Sequence, residues 1–166
     1  MSAIYPGSFD PVTNGHIDIA RRGAKILGHV TIAVLDNSHK NPLFSIQERV
    51  SLLRQVFCHD DNIYVESFAG LLVDYAKHKG ITTVLRGIRS ADDFSKEMPY
   101  AVWNRQLSDN VLETLYLPAD PALAHVSGSI VKEVAAHLYK GWHDDIVLAH
   151  MVAPEVRAAL RDKYSL

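Results

Sequence analysis

The alternation of short, β-branched runs with longer helical patterns is the feature that most constrains the fold. Strands are predicted at residues 2–5, 29–35, 63–65, 82–85 and 112–117, and helical patterns lie between them. Strands that are joined through helices pair in parallel by right-handed crossovers. The sequence therefore predicts an α/β fold, a doubly wound parallel five-stranded sheet with helices on both faces.

Capping residues mark several helix boundaries. Thr13 or Asn14 is expected to cap the first helix, and the capping box Ser45-Ile46-Gln47-Glu48 opens the second. A further helix is predicted over residues 91–107, with an interruption at Pro99, because proline lacks the backbone donor of a helix interior. The loops that follow the strands then lie at one edge of the sheet, where ligands bind in folds of this class.

Composition limits the class of protein to which the chain can belong. Its 166 residues include 17 basic and 19 acidic side chains, for a formal net charge of −2. These values predict one domain over residues 1–166, without the basic surface that binds nucleic acid. No apolar run reaches the roughly 18 residues of a membrane span. The single cysteine, Cys58, has no intramolecular disulfide partner, so we expect a cytoplasmic location.

The loop after the first strand has the composition of a close-contact turn. Gly7 and Gly15 let the backbone approach a ligand, Ser8 offers a hydroxyl and an N–H, and His16 falls in the first helical turn. A helix N-terminus favours an anion because its N–H groups lack partners. We interpret this loop as a phosphate-binding corner. The alternative is a rigid turn in which His16 is a surface or supporting residue.

Two arginines flank a short segment directly after the fourth strand, in Arg86-Gly87-Ile88-Arg89. Guanidinium groups bind phosphate through two parallel hydrogen bonds, a geometry that lysine does not offer. Because the first and fourth strands end at the same edge of the sheet, both arginines are expected to converge with Ser8 and His16. Lys40, in the loop after the second strand, can join them. The alternative is that these cations are solvated.

A third candidate is the turn Val126-Ser127-Gly128-Ser129, which precedes a predicted helix. Its N–H groups and hydroxyls can hold a phosphate or a nucleobase edge, or can serve only as a helix cap. The sequence lacks the Walker A pattern, the dinucleotide-binding glycine pattern and the spaced ligands of a zinc site. P-loop nucleotidases, Rossmann dehydrogenases and zinc hydrolases are therefore disfavoured, and no protein metal site is predicted.

Taken together, these segments resemble bacterial phosphopantetheine adenylyltransferases, within the T/H-x-G-H nucleotidyltransferase superfamily. The matching blocks are residues 5–11 with 13–16, 40–44, 68–76, 86–89 with Asp93, Phe94 and Glu97, and 126–133. Thr13-Asn14-Gly15-His16 marks only the superfamily, whereas the blocks that contain Lys40, Leu72 and Arg86 narrow it to this family. The resemblance implies a single-domain, Rossmann-like nucleotidyltransferase fold.

The resemblance implies transfer of the adenylyl group of ATP to 4′-phosphopantetheine, giving dephospho-coenzyme A and pyrophosphate in coenzyme A biosynthesis. The implied reaction is a reversible, direct in-line displacement that needs orientation and charge stabilisation rather than a covalent intermediate. Mg²⁺ bound mainly through the ATP phosphates, a homohexamer and feedback inhibition by coenzyme A are also implied.

The resemblance also assigns roles to individual residues. The expected catalytic residues are His16, as the transition-state stabiliser, with Ser8, Lys40 and Arg89. Those expected to contact ATP are Ser8, Phe9, His16, Gly87, Ile88, Arg89, Glu97, Leu123, Ala124, His125, Val126, Ser127, Gly128 and Ser129. Those expected to contact 4′-phosphopantetheine are Ser8, Lys40, Leu72 and Arg86.

Some positions depart from the family pattern. Lys96 stands where an aromatic residue is common, Leu123 where a tryptophan can face the nucleotide, and Gly128 where serine is usual. Two other functions stay open from the sequence. One is a related nucleotidyltransferase that uses nicotinamide mononucleotide or glycerol 3-phosphate, and the Lys40 block argues against it. The other is a catalytically silent nucleotide-binding sensor, and His16 argues against that.

Overall fold

The computed structural model of the chain describes residues 1–36, 41–140 and 146–165. The strands are β1 (Ser2–Gly7), β2 (His29–Leu35), β3 (Ile63–Phe68), β4 (Thr83–Ile88) and β5 (Glu113–Pro118). The helices are α1 (Asn14–Leu27), α2 (Ile46–Val56), α3 (Leu72–Lys79), α4 (Ala91–Leu107), α5 (Gly128–Lys140), α6 (Ile146–Met151) and α7 (Pro154–Tyr164), with a 3₁₀ turn at Pro121–Leu123. None of the helices in the described ranges combines the length and apolar character that crossing a lipid bilayer requires.

The five strands form one parallel sheet in the order β3-β2-β1-β4-β5. The chain first builds outward from β1 to β3, and β4 then pairs on the other side of β1, with Ile4 opposite Val84. The predicted fold class is confirmed. The order reverses between β1 and β4, and in sheets of this kind the crevice at such a switch point is the usual ligand site.

Helices cover both faces of this sheet. Ala3 and Tyr5 of β1 belong to the larger apolar cluster, which includes buried side chains of α1, α2, α5 and α7. The intervening Ile4 belongs to a smaller cluster with Val73 and Ala76 of α3. Because successive side chains of a strand point to opposite faces, the two clusters lie on the two sides of the sheet.

Helix α4 differs from the expectation and from the other long helices. It continues through Pro99, so the predicted interruption is wrong. Pro99 and Ser95, whose carbonyl loses its usual donor, are both exposed, and water can satisfy that carbonyl. None of the α4 side chains is buried, and Tyr100, Trp103 and Leu107 are 68%, 61% and 53% exposed.

The sheet core generates a stability prediction. Leu85 of β4 is 0% exposed, whereas its register partner Leu115 on β5 is 44% exposed. Leu85→Ala leaves a cavity in the larger cluster and should lower the free energy of unfolding by about 2–5 kcal/mol. Leu115→Ala, the matched control, should cost about 1 kcal/mol or less. Urea unfolding checks both, and equal losses would contradict the assigned core.

Candidate active site

A cleft of about 870 Å³ opens at the carboxyl ends of β1 and β4. The predicted site residues that line it are Ser8, Phe9, His16, Leu72, Arg86, Gly87, Arg89, Glu97, Leu123, Val126, Ser127, Gly128 and Ser129. Ile88, Ala124 and His125 are outside its lining, and Lys40 lies outside the described residues. The three loops singled out in the sequence therefore meet in one space.

His16 is held in the first turn of α1 by the residue that caps the helix. Thr13, 1% exposed, accepts from the His16 N–H through its hydroxyl, and its own N–H donates to His16 Nδ1 at 3.0 Å. Phe9 packs edge-on against the imidazole with ring centroids 5.1 Å apart. Since Nδ1 accepts a backbone hydrogen bond, the proton of the neutral ring resides on Nε2.

The surroundings of His16 favour this neutral form. Burial of the ring, together with the positive charges of Arg89 and Arg86, lowers the pKa of His16 to about 4. A cation is disfavoured both by desolvation and by neighbouring charge of the same sign. At neutral pH the side chain is therefore an uncharged N–H donor at the wall of the cleft.

Both arginines are held by carboxylates of α4. Arg86 lies within β4, which continues three residues past its predicted end at Leu85, and Arg89 follows the strand directly. Arg86 pairs with Glu97 through two nitrogens and also donates to the Pro6 carbonyl at 2.6 Å. Arg89 pairs with Asp93 through Nε at 2.7 Å and Nη2 at 3.0 Å. The hydrogen bond to Asp93, despite some burial, raises the pKa of Arg89. The carboxylates of α4 therefore orient both guanidinium groups before a ligand binds.

Asp10 joins the β1–α1 loop to two other segments. Its carboxylate accepts from the N–H groups of Leu43 and Phe44, at 3.0 and 2.9 Å, and from Lys132 Nζ at 2.8 Å. Burial by itself would raise the pKa of Asp10, but the hydrogen bonds from Lys132 and the two amides hold that pKa below its usual value. Gly128 lets the start of α5 lie close to the backbone of Asp10, because a Cβ there would lie 3.0 Å from the Asp10 carbonyl oxygen.

Three polar residues of this region were missed in the sequence. Asp10 and Lys132 pair over 122 residues of chain, and no local pattern announces such a contact. Arg49 is a 4% exposed residue of α2 that donates to the Ser8 carbonyl at 2.7 Å. The sequence pattern does indicate that Arg49 is buried, because it lies one turn before the apolar Leu53, on the face of the helix that packs on the sheet.

The carboxylates that line the described part of the cleft are paired with basic side chains. Among the described residues, no three His, Cys, Asp or Glu side chains gather as a metal site. Asp10, Asp93 and Glu97 line the cleft, and each forms an ion pair with a basic side chain.

The neutral state of His16 predicts a pH dependence of stability. Its pKa is lower in the folded chain, about 4, than its ordinary value of 6.5, so the unfolded chain binds more protons between these values. Stability is retained above pH 6.5 and is lost as the pH falls toward 4. Between pH 7 and 5, wild type should lose about 2 kcal/mol more than His16→Gln. Urea unfolding at both pH values measures this, and parallel losses would contradict it.

Sequence comparison gives the relationship of the chain to known proteins. The model of the cytidylyltransferase-like family matches residues 4–134. A phosphopantetheine adenylyltransferase of Solidesulfovibrio magneticus is 47% identical over 135 residues, covering 81% of this chain and 78% of that protein. A phosphopantetheine adenylyltransferase of Alkaliphilus metalliredigens is 46% identical over 132 residues, covering 80% of this chain and 83% of that protein.

Solved structures share the fold at low sequence identity. Nicotinic acid mononucleotide adenylyltransferase of Plasmodium falciparum, complexed with NaAD, superimposes with a TM-score of 0.69 at 13% identity, over 99% of this chain and 96% of that one. A bifunctional NMN adenylyltransferase/ADP ribose pyrophosphatase from Francisella tularensis superimposes with a TM-score of 0.68 at 13% identity, over 97% of this chain and 48% of that one. By its sequence relatives, and with a fold found in nucleotidyltransferases, the chain belongs to the phosphopantetheine adenylyltransferase family.

Proposed function

We propose that this protein transfers the adenylyl group of ATP to 4′-phosphopantetheine, giving dephospho-coenzyme A and pyrophosphate in coenzyme A biosynthesis. The observation that carries the proposal is the 46–47% identity to relatives of that name over four fifths of the chain. The cleft supports it, because a neutral imidazole donor and two oriented guanidinium groups suit a polyphosphate. One phosphoanhydride bond forms as another breaks, so the transfer is reversible.

His16 acts as the transition-state stabiliser in this proposal. Its Nε2–H donates to a phosphate oxygen of ATP as negative charge develops, while Thr13 fixes the ring from the other side. A donor that is already oriented costs no reorganisation at the moment of reaction. Ser8 and Phe9, in the adjoining loop, lie between the two substrates.

The cationic groups are divided between the substrates. Arg89 binds ATP with Gly87, Ile88, Glu97 and residues 123–129, whereas Arg86 binds 4′-phosphopantetheine with Ser8, Lys40 and Leu72. Arg86 uses three of its five N–H donors on Glu97 and Pro6, which leaves two for a phosphate. The carboxylate of Glu97 therefore aims this guanidinium group without using all of its donors.

Mg²⁺ is proposed to enter the cleft on the nucleotide. The carboxylates that line the cleft are paired with basic side chains, so phosphate oxygens of ATP would be the main ligands of the ion. When bound, Mg²⁺ neutralises phosphate charge. Asp93 and Glu97, which line the cleft, would add contacts to the ion only through bound water.

Assembly, regulation and location are further parts of the proposal. Residues 1–166 act as one nucleotidyltransferase domain, and six copies form a homohexamer that coenzyme A inhibits. The exposed apolar side chains of α4, among them Tyr100 and Trp103, support association with other copies. A cytoplasmic location is consistent with a free cysteine, Cys58, on the surface.

A parallel assay of acceptors tests the reaction. With ATP and Mg²⁺, we expect pyrophosphate release with 4′-phosphopantetheine, and dephospho-coenzyme A as the second product by mass spectrometry. Nicotinamide mononucleotide and glycerol 3-phosphate serve as competing acceptors, and a reaction without acceptor is the blank. Preference for either competing acceptor would reject the proposed substrate, and no transfer to any acceptor would favour a nucleotide-binding sensor.

The His16→Ala variant tests the catalytic role. Loss of one preorganised donor to a developing charge typically reduces turnover by about 10²–10³-fold, and ATP affinity should change much less. Steady-state kinetics gives kcat, and calorimetric titration gives the Kd for ATP. Wild-type turnover in the variant would contradict the role, and so would a kcat loss explained entirely by unfolding in a thermal melt.

A further inference from the structure

The Arg49 side chain connects the Ser8 loop with both ends of the segment between β2 and α2. Its Nη1 donates to the carbonyls of Ser8 and Leu35 at 2.7 and 3.3 Å, and its Nε donates to the Phe44 carbonyl at 3.1 Å. Leu35 is the last residue of β2, and Phe44 precedes the cap of α2. One guanidinium group therefore fixes three loop boundaries beside the cleft.

Arg49 is a buried cation without an anionic partner in the part of the chain that the structure describes. The residue is 4% exposed, and its hydrogen bonds within the described ranges go to backbone carbonyls. A buried charge costs free energy unless it is well hydrogen-bonded, and an apolar side chain would avoid that cost. What the guanidinium group adds at this position is a fixed arrangement of three carbonyl groups.

The Ser8 carbonyl belongs to the peptide group whose N–H is that of Phe9. In a trans peptide the N–H points away from the C=O, so an Arg49 contact on the oxygen sets the direction of the Phe9 N–H. Phe9 has a φ of 47°, a conformation that surrounding contacts must hold in a residue other than glycine. No backbone group of the described residues accepts from the Phe9 N–H, and both Ser8 and Phe9 line the cleft.

We propose that Arg49 is a positioning residue for adenylyl transfer, which holds the Ser8–Phe9 peptide so that the Phe9 N–H donates to a phosphate oxygen in the cleft. Arg49 acts through the backbone, and it also steadies His16, because the Phe9 ring packs against that imidazole. The inference rests on the proposed function and adds a residue of α2 to it.

The Arg49→Lys variant tests the geometry at constant charge. An ammonium group retains the positive charge but cannot reproduce the planar fork that reaches Ser8 and Phe44 together. We expect kcat per ATP-binding site to fall by about 10²-fold, because small misplacements of reacting groups have effects of that size. The Kd for ATP should rise by only about tenfold, because one hydrogen bond to a charged ligand is weakened; the larger loss in kcat is a split between turnover and binding that general destabilisation does not produce.

The matched control is Arg54→Lys on the same helix. Arg54 Nη2 donates to the Val65 carbonyl at 3.3 Å, and the residue is not part of the cleft lining. Its kcat should equal that of wild type. Equal kcat values for the two lysine variants would overturn the proposal, and so would full activity in Arg49→Lys with a lower melting temperature. Failure of wild type and Arg54→Lys to transfer adenylyl groups would instead reject the proposed function.

A measurement on wild type covers the case in which Arg49→Lys does not fold. In ¹⁵N-labelled protein, the Phe9 amide resonance should move downfield when ATP is added. The Gly28 amide, which donates to the Ala24 carbonyl at the far end of α1, is the internal reference and should shift little. A Phe9 amide resonance that is unaffected by ATP, or that moves no more than the reference, overturns the proposal.

Discussion

The arrangement of the cleft depends on the carboxylate of Asp10. It accepts hydrogen bonds from two amides that precede α2 and from Lys132 of α5, with the side chain 8% exposed. Three segments distant in sequence thus meet at one charged group inside the protein, where hydrogen bonds to charge are strong and an unmet partner is costly. The positions of Ser8, residues 43–44 and the start of α5 are therefore coupled.

Ion pairs link α4 to the same cleft. Because α4 has no buried side chain, its attachment to the sheet depends more on polar contacts than that of the other long helices. Two of these contacts are the ion pairs of Arg86 with Glu97 and of Arg89 with Asp93. A phosphate that binds to either arginine must share it with a carboxylate, so ligand binding and the placement of α4 influence each other.

How far the sequence predicts the structure depends on the range of the interaction. The strands and the Ser45 capping box follow from residues within a few positions of one another, and both are present. The six-residue helix α6 was not predicted, because so short a segment has little periodicity. The contact of Asp10 with Lys132 joins elements that only the folded sheet brings together, and Pro99 stays helical because its surroundings are solvent.

The protonation state of His16 agrees with the kind of acceptor proposed. A ring whose Nδ1 accepts from Thr13 and whose pKa is about 4 is a poor proton acceptor at neutral pH, so it is a donor and not a general base. A hydroxyl acceptor would need such a base. A phosphate monoester does not, because its second pKa is about 6 and it is mostly a dianion at pH 7. The two arginines at the wall of the cleft, which disfavour a histidinium ion, carry the charge that favours an anion there.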